Sequence, residues 1–154
     1  MITMMDWNLF DCDDGITIAI PVNCRGVMGA GLAKEAKERY PDMFDFYLQK
    51  CNSENPCDRI KTGETYLYQG EGGASILLFP TKDHWMYDSK IEYIEQGLDH
   101  FVENFAKWGI TRVAFPALGC GLGRLSRRQV RELLISKLRH LDLDVLLLGL
   151  NDNN

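Results

Sequence analysis

"ITIAIPVNCRGVMGAGLAKEAKERYP", residues 16–41, is the stretch whose reading decides the fold. Its first seven residues, "ITIAIPV", are rich in β-branched side chains and almost wholly apolar, the pattern of a strand buried on both faces. Gly26, Gly29 and Gly31 follow, crowded into one loop. A helix over roughly 30–40 is predicted next, with Leu32, Ala33, Ala36 and Tyr40 on one face and Pro41 as its stop. Buried strand, glycine loop and amphipathic helix together form the repeating unit of an α/β protein.

The same alternation continues along the chain. "PDMFDFYLQKC" (41–51) reads as a second short helix, and "NSENPCDRIKTGE" (52–64) as a polar surface loop. "TYLY" (65–68) and "SILLFP" (75–80) flank "QGEGGA" as a hairpin does. Ser89 and Glu92 have capping-box spacing, and Ile91, Ile94, Leu98, Phe101, Val102, Phe105 and Trp108 recur at helical intervals before Gly109. "RVAFPAL" (112–118) reads as a strand and "GCGLGRL" (119–125) as a second glycine loop. Ser126 and Gln129 make another capping box for a helix to about His140, with Val130, Leu133, Leu134, Leu138 and Leu141 inward. "DVLLLGL" (144–150) closes as a buried strand. The expectation is a mostly parallel sheet with helices on both faces. Ligands of such sheets bind beyond the carboxyl ends of the strands, where the loops 23–31 and 117–124 and the segment "PTKDHW" (80–85) converge.

Composition narrows the function classes. A chain of 154 residues with 45% hydrophobic residues is expected to form one domain, 1–154. A formal charge of −5 argues against binding nucleic acid by bulk electrostatics, although "RLSRRQVR" (124–131) is a local basic patch. The five cysteines are odd in number and contain no CxxC pair, which argues against a disulfide framework or a zinc site and for a reducing cytoplasm. The N-terminus lacks the basic and apolar regions of a signal peptide, and no apolar run approaches the roughly 18 residues of a membrane span. No metal and no cofactor are expected.

A glycine-rich strand-to-helix loop offers backbone N–H groups and a helix N-terminus to phosphate. Walker A does not fit, since neither loop has GK followed by Ser or Thr. The dinucleotide fingerprint GxGxxG does not fit either, because "GAGLAK" places Lys34 at its third glycine. One such loop can serve tight helix–sheet packing; two on the same edge point to a diphosphate ligand.

Three segments in this order and spacing, "VNCRGVMGAGLAKEAKERYP", "LFPTKDHW" and "PALGCGLGRL", resemble the macrodomain family. The middle one is similar to the DarG-like branch, antitoxin macrodomains that remove ADP-ribose from nucleic acid. The resemblance runs from "NLF" (8–10) to the last strand and implies a three-layer α/β/α sandwich around a mixed, mostly parallel sheet. It also implies an ADP-ribose-binding hydrolase that cleaves the glycosidic bond between ADP-ribose and a base, thymine in single-stranded DNA. Related macrodomains leave other readings open: a phosphatase of ADP-ribose 1″-phosphate, a deacylase of O-acyl-ADP-ribose, or a non-catalytic ADP-ribose reader. A cognate DNA ADP-ribosyltransferase is the expected partner, and the protein is expected to be a monomer.

By the same resemblance, Asn23 bonds the distal ribose, with Val22, Met28, Gly29, Ala30, Gly31 and Leu32 around it. Gly119, Cys120, Gly121, Leu122 and Gly123 wrap the diphosphate, Asn8 and Leu9 lie near the adenine, and Thr81, beside Lys82, also contacts the substrate. Lys82 is the implied catalytic lysine, able to act as nucleophile or as a charge stabilising the departing base. Trp85 is expected to shield it partly from water. A related human branch pairs the lysine with an aspartate in the second loop, where this chain has Gly123. His84 can serve as an acid or base but reads rather as a packed structural residue; Cys24 reads as packing, and Cys120 as a small side chain that suits close approach of a phosphate, with use as a nucleophile the lesser alternative. Arg124, Arg127, Arg128 and Arg131 form either a solvated face or a seat for a nucleic-acid backbone.

Overall fold

The computed structural model describes residues 1–151. In chain order it contains β1 (Ile2–Met5), β2 (Thr17–Asn23), α1 (Gly31–Arg39), α2 (Pro41–Cys51), β3 (Tyr66–Gln69), β4 (Ser75–Lys82), α3 (Ile91–Asn104), β5 (Arg112–Phe115), α4 (Arg127–Leu138) and β6 (Asp144–Leu148). The six strands make one sheet in the order β1-β6-β5-β2-β4-β3. Every pairing is parallel except that of β3 with β4, the hairpin at one edge.

Side-chain alternation along the central strands sorts the core into two layers. Ile18, Ile20 and Val22 of β2, with Ile76 and Leu78 of β4, meet Ala36 of α1 and Met43 and Tyr47 of α2. Ala19, Leu77, Phe79, Val113, Phe115, Val145 and Leu147 point the other way, onto Ile94, Leu98 and Phe101 of α3 and Val130, Leu134 and Leu138 of α4. Phe101 and Phe115 meet edge to face with centroids 5.5 Å apart, and Phe79 joins Phe115 at 6.4 Å. Gly97 in the middle of α3 has a local reason: a Cβ there would overlap the ring of Phe79. The helix gives up about 1 kcal/mol of propensity at that position and gains the close seat of a buried aromatic.

Three local expectations need correction. The strand β1 was not anticipated, because a four-residue run of partly buried side chains shows little period-2 contrast. It pairs with β6 at the sheet edge, from Ile2 opposite Val145 to Met5 opposite Leu148. The Ser89–Glu92 capping box does not form; Lys90 is the N-cap of α3 without a side-chain bond, and the buried Ser89 hydroxyl has no partner among the described residues. The Ser126 cap is present, its Oγ accepting from the Gln129 N–H at 3.3 Å. "RVAFPAL" is a strand only as far as Phe115, after which Pro116 begins the loop. No described helix is long and apolar enough to cross a membrane.

Candidate functional site

The parallel order β5-β2-β4 brings three strand ends to one edge of the sheet: Phe115 with the loop 116–126, Asn23 with the loop 24–30, and Lys82 with the segment 83–90. Asn23 and Lys82 are direct register partners, at the step where the β2–β4 ladder shifts past Thr81. Asn23 is 9% exposed and is held from several sides. Its Oδ1 accepts from the Arg25 N–H (2.9 Å) and the Tyr47 hydroxyl (2.9 Å), while Nδ2 donates to the Val27 carbonyl (2.7 Å). An amide nitrogen carries two hydrogens, so one donor remains for a ligand. Tyr47, which sequence reasoning missed, lies wholly buried beneath the loop. Its hydroxyl also reaches the Asn23 carbonyl (2.8 Å) and accepts from the Gly26 N–H (3.2 Å), and burial pushes its phenol well above the ordinary range.

The first loop spends its glycines in two ways. Gly26 has φ +80°, and a Cβ there would press on Leu48, so packing demands it. Around Gly31 there is open space, and Gly29 would meet only Val27 at an ordinary 3.6 Å. Among the described residues, the N–H groups of Met28, Gly29, Ala30 and Gly31 have no acceptor, and the N-cap Ala30 supplies no side-chain cap to α1. Gly29, Ala30 and Gly31 are exposed, whereas Val22 and Met28 send their side chains into the core and can offer only backbone here. Leu32 packs partly against the same core layer.

The second loop divides likewise. Gly119 is left-handed (φ +72°) under Leu125, and a Cβ on Gly123 would collide with the Ser89 hydroxyl and the Gly119 backbone. No side chain fits at Gly123, which is why no aspartate stands there. Gly121 is different: nothing lies within 4 Å of its notional Cβ, and Gly121 and Leu122 are exposed with N–H groups that have no described acceptor. The loop is otherwise tied internally by Cys120 N–H to Ala117 (3.1 Å), Arg124 N–H to Gly121 (3.1 Å) and Leu125 N–H to Gly119 (2.9 Å). Both uses of glycine thus coexist, with packing at Gly26, Gly119 and Gly123 and open approach at Gly29, Gly31 and Gly121.

The segment from Lys82 to Ser89 is a strap between these loops. At one end Cys24 N–H donates to the Asp83 carbonyl (3.2 Å), the Cys24 thiol to the Lys82 carbonyl (3.6 Å), and Arg25 pairs with Asp83 (3.1 Å). At the other, Ser89 N–H donates to the Gly123 carbonyl (3.0 Å) and Arg124 pairs with Asp88 (3.7 Å). Lys82 Nζ donates to the Trp85 carbonyl at 3.3 Å, and among the described residues no carboxylate pairs with it. Lys82 is half-buried, while Trp85 is 51% exposed and leans on His84. His84 Nδ1 accepts from the Met86 N–H at 3.1 Å, and its ring packs on Trp85 and Tyr87.

The remaining candidates take other places. Burial pushes the Cys24 thiol up to about 12 and raises that of Cys120, so both stay protonated and unreactive. Asn8 caps a short 3₁₀ turn, accepting from Phe10 N–H at 2.9 Å, while the Leu9 side chain is core. Arg127 donates to the Gly149 carbonyl, Arg131 to that of Leu150 (3.0 Å), and Arg128 pairs with Glu132 (3.2 Å). These arginines tie α4 to the chain after β6 and to its own next turn. No group of His, Cys, Asp or Glu able to hold a metal occurs among the described residues.

Known proteins are similar to this chain in sequence and in fold. The chain is 37% identical over 147 residues to a DNA ADP-ribosyl transferase-DNA ADP-ribosyl glycohydrolase fusion protein of Thermosipho africanus, covering 84% of this chain and 37% of that protein. It is 37% identical over 130 residues to a DNA ADP-ribosyl glycohydrolase of Mycobacterium tuberculosis, covering 82% of this chain and 36% of that one. The chain therefore spans about a third of the length of these curated relatives. The structure of Thermosipho africanus DarTG in complex with ADP-ribose superposes with a TM-score of 0.87 at 33% identity, over 99% of this chain and 43% of that one. The Macro domain profile matches residues 20–134, and the chain belongs to the macrodomain family.

Proposed function

We propose that this protein hydrolyses the glycosidic bond between ADP-ribose and a base of DNA, thymine in a single strand, and that it acts against a DNA ADP-ribosyltransferase. The observation that carries the reading is the placement of Lys82. An ammonium without a carboxylate partner stands in register with Asn23, between two loops whose exposed N–H groups await an anion. The N–H groups of Gly121 and Leu122 hold the diphosphate, with further donors from Gly29 to Gly31 at the N-terminus of α1. The free Nδ2 hydrogen of Asn23 orients the distal ribose. Water then adds to the anomeric carbon as its bond to the base breaks, the base leaves with a proton, and Lys82 acts at that carbon. Similarity to proteins named for transfer and removal of ADP-ribose on DNA supports the substrate and the partner. Five free cysteines suit a reducing cytoplasm.

The test is to incubate the purified protein with a thymidine oligonucleotide carrying ADP-ribose, with ADP-ribose 1″-phosphate and with O-acyl-ADP-ribose. Release of ADP-ribose from the oligonucleotide is expected. Cleavage of the phosphate or the acyl ester alone replaces the reading with a phosphatase or deacylase, and binding without turnover replaces it with a reader. Free ADP-ribose is expected to raise Tm by mass action, and AMP, which lacks the distal ribose, to raise it less.

A further inference from the structure

The strap between the two loops carries an exposed aromatic surface for which neither packing nor the chemistry at Lys82 has a use. Trp85, Met86 and Tyr87 are 51%, 67% and 65% exposed, a concentration of large apolar side chains that a soluble surface does not otherwise need. The rings are braced. His84 lies between Trp85 (centroids 5.1 Å) and Tyr87 (5.2 Å), and the segment is closed as a turn by Tyr87 N–H to the His84 carbonyl (3.1 Å). Both ends are pinned, by Cys24 and Arg25 on the first loop and by Gly123 and Arg124 on the second. A braced aromatic face presented to water is preorganised to stack on flat groups.

We propose that Trp85 and Tyr87 form a stacking platform for unpaired nucleobases flanking the ADP-ribosylated nucleotide. The proposal rests on the hydrolase reading above, and three observations favour a polynucleotide on this surface. The platform is continuous with the site, because Lys82 Nζ is bonded to the carbonyl of Trp85 itself. Arg25 and Arg124 stand at its two ends in exposed ion pairs, which are weak enough for a guanidinium to turn to a phosphate. The chain carries a net charge of −5, so it cannot hold a strand by charge alone, and base–aromatic stacking supplies the sequence-tolerant grip that charge does not. Bases in a duplex are stacked on one another and closed to such a platform, so it selects single strands.

The experiment compares wild type with Trp85→Ala, Tyr87→Ala, the double variant, and Trp85→Phe with Tyr87→Phe as the ring-retaining control. Fluorescence anisotropy with a labelled single-stranded thymidine decamer and its duplex needs no turnover. The single strand is expected to bind wild type, weaken about tenfold in each alanine variant and recover with phenylalanine, while the duplex does not bind. For release of ADP-ribose, KM for the modified decamer is expected to rise about tenfold in each alanine variant, and in Tyr87→Ala kcat is expected to be unchanged and kcat/KM for modified thymidine monophosphate to stay within twofold. Affinity for free ADP-ribose is expected to be unchanged. Equal decamer affinities in wild type and double variant overturn the platform, as does an equal loss on the decamer and the mononucleotide. Wild-type anisotropy contrast without any release overturns the hydrolase reading and leaves the platform standing.

Discussion

Asn23 and Lys82 face each other across the ends of β2 and β4, paired where the ladder skips Thr81. A register shift of this kind re-aims the side chain that follows it. The lysine is thereby set beside Asn23, the residue proposed to orient the ribose, and among the described residues its ammonium bonds only to the Trp85 carbonyl. Lys82→Ala is expected to lower release of ADP-ribose from modified DNA by about 10²–10³-fold, the range for loss of one preorganised charge or donor. Lys82→Arg keeps the charge but has no amine able to attack or exchange a proton near neutral pH, and is expected to lose most turnover as well. Single-turnover release checks both. Calorimetry with free ADP-ribose is expected to show little change, since the proposed diphosphate contacts are loop N–H groups that the substitution leaves in place. Near-normal turnover in the arginine variant makes the role electrostatic.

Gly121 and Gly123, two positions apart, are expected to fail in different ways. Open space surrounds the Cβ position at Gly121, so Gly121→Val is expected to fold with a wild-type Tm. Its branches cover the N–H groups offered to phosphate, and ADP-ribose affinity is expected to fall at least tenfold. At Gly123 a methyl meets the Ser89 hydroxyl and the Gly119 backbone. Gly123→Ala is expected to cost about 1–3 kcal/mol by overpacking, several degrees in Tm. Calorimetry and thermal unfolding on the two variants separate the effects; undiminished affinity in Gly121→Val moves the diphosphate elsewhere.

Tyr47 acts through Asn23 and the first loop. Tyr47→Phe removes a buried hydroxyl that binds Asn23 and Gly26, leaving those groups short of a partner. The expected cost is about 1–3 kcal/mol. A merely structural tyrosine lowers Tm and leaves ligand affinity alone. A positioning residue also weakens ADP-ribose while sparing AMP, because the distal ribose is the group Asn23 is proposed to hold. Tm together with the two affinities decides between them.

The site was legible in sequence wherever chemistry is local. A glycine loop after an apolar strand, a lysine after another, and helices marked by periodicity all reflect short-range rules, and the structure places each where those rules do. What stayed hidden depends on contacts far along the chain. Tyr47 reads in sequence as one more aromatic on α2, and only the packing of α2 under the first loop brings its hydroxyl to a residue 24 positions earlier. Ser89 has the spacing of a cap, but its N–H is bound to Gly123, which pulls it out of the N-cap position and leaves Lys90 there. Trp85 stands three residues after Lys82 in sequence, but only the turn that sets its ring against His84 shows how much of the indole meets solvent. Nor does sequence alone separate glycines that packing requires from those that leave space open.

Cys24 gives the site a dependence on alkaline pH. Burial is the main cause that pushes its thiol up to about 12 from 9.0, with the carboxylate of Asp83 adding to it. A folded-state pKa above the unfolded value means that the native protein holds the proton more tightly. The resulting stability is complete below pH 9 and is lost as pH rises from 9 toward 12. Deprotonation also removes the thiol's bond to the Lys82 carbonyl and places a thiolate beside Asp83, at the point where the strap meets the first loop. Thermal unfolding between pH 8 and 10.5 is expected to show Tm falling with pH, and Cys24→Ala is expected to flatten part of that slope. Part will remain, since Tyr47 and Cys51 are raised by burial in the same direction. An identical slope in the variant assigns the alkaline loss to the other groups that burial raises, Tyr66, Cys12 and Cys120 as well as Tyr47 and Cys51, and frees Cys24 from any part in it.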